Sequence, residues 1–67
     1  MNIEKLEETY NAKITEIDVL IESQKRLRSL AREGGDSCDV AVHSADINGL
    51  NKLRQAYVQF LHDLEDL

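Results

Sequence analysis

The stretch "AREGGDSCDVAVHSAD", residues 31–46, decides the fold, because only here does a chain of helical periodicity stop reading as helix. Two readings compete. In the first, Asp36 caps a helix that begins at once, with Asp39 three residues on as a capping-box-like partner. Two helices of about thirty residues, each about 45 Å long at 1.5 Å per residue, then form a hairpin around "GGD". In the second, Ser44 is the cap, Asp46 lies in the first turn, and "CDVAV" is extended with Cys38, Val40 and Val42 on one side. A single short strand leaves its backbone groups unpaired and needs a partner.

The matched lengths favour the hairpin. Against it, the apolar stripe of the following helix, continued backwards, puts Asp39, His43 and Asp46 at its centre and Val40 at its edge. Val40, Val42 and Gly49 are also poor helix formers. An irregularity near residues 43–46 is therefore expected on both readings.

Outward from this stretch the pattern is regular. Towards the amino end, Ile3, Leu6, Tyr10, Ile14, Ile17, Leu20, Ile21, Leu27 and Ala31 recur at helical spacing, with Glu4, Glu8, Asn11, Thr15, Glu22 and Ser29 opposite. Acids at the start and Arg28 and Arg32 near the end suit the helix dipole. Gly34 reads as the left-handed residue just past the end. Towards the carboxyl end, Ile47, Leu50, Leu53, Tyr57, Phe60, Leu61, Leu64 and Leu67 form a second stripe. The expected organisation is one all-α domain over residues 1–67: a helix over about 2–33, a turn at 34–36, an irregular 37–45 and a helix over about 46–66.

Size and composition bound what such a hairpin can do. Sixty-seven residues bury too little surface for comfortable stability without a staple. One cysteine, Cys38, excludes an intrachain disulfide, and neither HxxxH nor paired CxxC spacing is present, so no metal or other cofactor is expected. Association with another chain remains, and the wide stripes, with Val19, Leu30 and Val58 on their flanks, point to a bundle completed by a second chain.

The longest uncharged apolar run is "VLI" at 19–21, and "MNIEKLEE" is acidic, so a soluble cytoplasmic protein without membrane segments is expected. Eight Lys and Arg against thirteen Asp and Glu give a net charge of −5, which argues against direct nucleic-acid binding.

Several clusters invite a chemical reading. Asp39, His43 and Asp46, at i, i+4 and i+7, would share a helical face and offer O, N and O donors to a divalent metal, but nothing in sequence supplies further ligands. Their plainer roles are caps, turn contacts and solvated groups. Cys38 with His43 suggests an assisted thiolate, yet a two-helix chain offers little concavity for substrate, so no enzyme is expected. Lys25, Arg26, Arg28 and Arg32 spread over a broad arc and answer Asp36, Asp39 and the dipole. The acidic face, Glu4, Glu7, Glu8, Glu16 and Asp18, would imitate phosphate spacing against a basic cleft, as a phage- or mobile-element-type inhibitor does.

"REGGD" between two amphipathic helices in an acidic chain of this length resembles the small helical-hairpin co-chaperones of type III secretion needle subunits. The order of elements, with "SADINGLNKL" opening the last helix, is similar to small phage head–tail joining proteins, which implies a short β-hairpin between the helices, although no second strand is evident. The expected function is a non-enzymatic interaction or assembly module that binds a protein partner or itself. The apolar stripe is its surface, with Tyr10, Ile14, Ile17, Ile21, Leu50, Leu53, Tyr57, Phe60, Leu61 and Leu64 as its body. Part of that stripe closes the hairpin and part awaits the partner.

Overall fold

A computed structural model describes residues 2–66, which form two antiparallel helices, α1 (Ile3–Glu33) and α2 (Ser37–Glu65). Asn2 opens α1, its side-chain oxygen accepting the Lys5 amide at 3.3 Å. At the other end three amides fold back onto the last turn. Gly34 N–H donates to the Leu30 carbonyl at 3.0 Å, Gly35 to Arg32 at 3.1 Å and Asp36 to Ala31 at 2.9 Å. The last two bonds are the pair that closes a helix through a left-handed residue, so they satisfy carbonyls the helix leaves without partners. That residue is Gly35, with φ of +74°, and not Gly34, whose φ of −80° is ordinary helical backbone. The expected assignment was one position early.

Asp36 then caps α2 as the hairpin reading requires, its carboxylate accepting the Asp39 amide at 3.0 Å. The irregular segment expected at 37–45 and the break near 43–46 are corrected, because α2 runs unbroken from Ser37. Each Val or Gly costs a helix only about 0.5–1 kcal/mol, which packing along a long seam overrides. Among the described residues there is no strand, so the β-hairpin implied by the second resemblance is also absent.

The helices meet along a seam with a strict heptad step. In α1 the residues Glu7, Tyr10, Ile14, Ile17, Ile21, Gln24, Arg28 and Ala31 are all buried or half-buried, and in α2 so are His43, Ile47, Leu50, Arg54, Tyr57, Leu61 and Leu64. Alternating steps of three and four average 3.5 residues, the repeat of a left-handed coiled coil. Ile17, Ile21 and Ile47 make the central cluster, with Leu50 and Tyr57 against it. Towards the termini Tyr10 stacks at a tilt on Tyr57 and Phe60, centroids 5.3 and 4.6 Å away. Towards the turn the seam becomes polar: His43 and Gln24 meet at 2.6 Å, the imidazole Nδ1–H donating to the amide oxygen. The product is a rod whose Cα atoms span 50 × 14 × 12 Å. Among the described residues no helix is long and apolar enough to cross a membrane.

Candidate protein-interaction face

A two-helix seam hides one side of each helix, and this chain carries apolar side chains beyond that side. Val19, Leu20, Leu27 and Leu30 in α1, and Val42, Leu53 and Phe60 in α2, are all exposed, Val19 and Leu30 by 60 and 63 % and Leu20 and Leu53 by 51 and 47 %. At about 100° per residue the four in α1 fall within an arc of about 100°, and the three in α2, with Gly49 and Ala56, within about 60°. The two arcs share one side of the hairpin, because Leu20 of α1 and Gly49, Leu50 and Leu53 of α2 line a common groove of about 460 Å³. Gly49 deepens it by having no side chain. Leu20, Leu27, Leu53 and Phe60 occupy the middle of this face, and Val19 and Leu30 lie at its outer edge.

The opposite side is charged. There Arg54 donates to Asp18 across the two helices at 2.7 Å, and Lys25 sits 3.5 Å from Glu22. The side chains of these pairs are 41–64 % exposed, so each pair adds at most about 1 kcal/mol. Their consequence is one of contrast: cross-helix ion pairing marks one broad side, and exposed apolar side chains around the groove mark the other.

The residues singled out in the stripe divide accordingly. Ile17, Ile21 and Leu64 are buried within the hairpin, while Tyr10, Ile14, Leu50, Tyr57 and Leu61 are half-buried along the seam. Leu53 and Phe60 are exposed and belong to the apolar face. Val19, Leu20, Leu27, Leu30 and Val42 join them there, although the stripe reading had not chosen them as its body. The signal that identifies them is the heptad itself: once its positions are assigned to the seam, Val19, Leu20, Leu27, Leu30, Val42 and Leu53 are left over.

The other clusters are not assembled into sites. Asp39 and Asp46 are exposed and His43 turns to Gln24, and among the described residues no three His, Cys, Asp or Glu side chains gather as a metal cage would require. Cys38 is exposed. Of the basic cluster, Lys25 is paired with Glu22, Arg26 reaches Ser23 at 3.4 Å, and Arg28 is half-buried. Of the acidic residues, Asp18 is paired with Arg54 and Glu16 lies 3.6 Å from Lys13. At about 100° per residue Glu4, Glu7, Glu8 and Asp18 fall within an arc of about 100° on α1 and Glu16 lies about 80° beyond it.

No family model, curated protein or solved structure matches the chain.

Proposed function

We propose that this chain is a non-enzymatic protein–protein interaction module of the cytoplasm, serving assembly or an adaptor role through the apolar face of the hairpin. The observation that supports this reading is the concentration of Leu20, Leu27, Leu53 and Phe60 on one side of the rod, around a groove floored by Gly49. Fully burying such a side chain is worth about 1.5–3 kcal/mol, so covering the exposed half of four or five of them yields several kcal/mol. Contiguous apolar surface with a polar rim is characteristic of binding sites rather than of idle surface. The acidic side chains, two of them neutralised by Arg54 and Lys13, give less support to a mimic of nucleic-acid charge.

The test is recovery of partners by the tagged chain from its native cells, in parallel with a Leu20→Glu, Leu53→Glu variant. The wild-type chain is expected to retain a partner that the variant loses, while Glu4→Lys and Glu8→Lys leave recovery unchanged. Equal recovery by wild type and the leucine variant would count against the apolar face; loss on the glutamate reversals would favour the charge mimic.

A further inference from the structure

We infer that the occupant of this face is a second copy of the chain, related by a two-fold axis perpendicular to the rod, so that the two turns lie at opposite ends of a four-helix bundle. The inference deepens the interaction reading above and rests on it.

Three observations carry it. The first is area. A folded monomer of 7.6 kDa exposes about 4,300 Å² by the usual size scaling, whereas this chain exposes 5001 Å². The surplus of about 700 Å² approaches the roughly 800 Å² that each partner contributes to a stable interface.

The second is shape. The face runs along both helices of a straight hairpin, so a copy turned over upon it makes each helix a neighbour of another antiparallel helix, the geometry of a four-helix bundle. A two-fold interface needs a self-complementary patch, and Leu20 and Leu53 lie within about two residues of the midpoints of α1 and α2, where the axis would pass.

The third is charge, which chooses between the two possible axes. The turn end, residues 23–41, carries four bases and three acids; the other end, residues 2–14 and 56–66, carries two bases and six acids. An axis along the rod would stack the two strongly acidic ends on each other. The perpendicular axis instead sets each acidic end on a slightly basic one, and like charges held close cost affinity while opposite ones steer assembly. It also brings Asp46, the exposed acid lining the groove, level with the partner's Lys13.

Sedimentation equilibrium and a spin label on the native, exposed Cys38 test both parts. The expected mass is about 15 kDa, twice that of one chain. The expected separation of the two labels is about 40 Å, because Cys38 lies thirteen residues from the middle of α2 at 1.5 Å per residue. A dimer with labels closer than about 25 Å overturns the perpendicular axis, since turns at the same end would put the α2 helices within a bundle's width of each other. A monomer up to millimolar concentration overturns the self-association and leaves the face to a different chain. A dimer whose mass survives Leu20→Glu with Leu53→Glu overturns the face itself, and with it the interaction reading above. The wild-type mass and label distance decide the question even where that variant loses helicity.

Discussion

Gly35 alone among the described residues holds a positive φ, and the turn depends on it while its neighbour is replaceable. A Cβ at Gly35 would meet no atom within 4 Å, so the whole cost of Gly35→Ala is the left-handed backbone, about 1–2 kcal/mol for an L side chain. A Cβ at Gly34 would rest 3.5 Å from the Leu30 carbonyl in ordinary contact, on helical backbone. Gly34→Ala is therefore expected to be neutral or to stabilise by up to about 1 kcal/mol through the unfolded chain. Urea midpoints at one fixed protein concentration check the pair, and equal losses for both would contradict the assignment. The "GGD" sequence marks the turn and Asp36 the cap on residue type alone. Which of two adjacent glycines turns left depends on the residue at which α1 ends, and that is settled by the fold-back bonds to Ala31 and Arg32.

At the scale of the helix, the seam repeats every 3.5 residues and runs beside the centre of the apolar stripe of α2, not along it. Including Leu53 and Phe60 in the stripe of α2 rotates it towards Asp39 and Asp46 when it is carried back to the turn. The true seam takes Arg54 and Leu61 in their place and continues through Ile47, His43 and Val40, leaving those aspartates exposed. Helix existence and facing were thus legible, while the seam was displaced because hydrophobicity alone does not say which apolar residue is in surplus. The polar layer has its own consequence. His43 and Gln24 share a short, partly buried bond, and groups in one network do not act independently. A double-mutant cycle of Gln24→Leu and His43→Leu is expected to return a coupling of about 1 kcal/mol, the net worth of one such bond. Strict additivity would show that the two side chains touch without supporting each other.

For the whole molecule, the hairpin is a rod with little interior. Four apolar residues, Ile17, Ile21, Ile47 and Leu64, are buried among those described. The radius of gyration, 15.4 Å, exceeds the roughly 11 Å of a compact domain of this length. The surplus of apolar residues, with Val19 and Leu30 on the flanks of the stripe, is legible in the sequence. The side on which it gathers is not, because that follows from how the two arcs of α1 and α2 come together. The identity of the occupant rests on area and on the opposed charge of the two ends. Folding that is coupled to self-association makes thermal stability depend on concentration. The most direct measurement is the unfolding midpoint followed by circular dichroism across a hundredfold range of protein concentration. The bundle predicts a rise of about 10 °C over that range, and a loss of the dependence in the Leu20→Glu, Leu53→Glu variant. A midpoint that stays constant with concentration, or one that climbs equally in the variant, would contradict it.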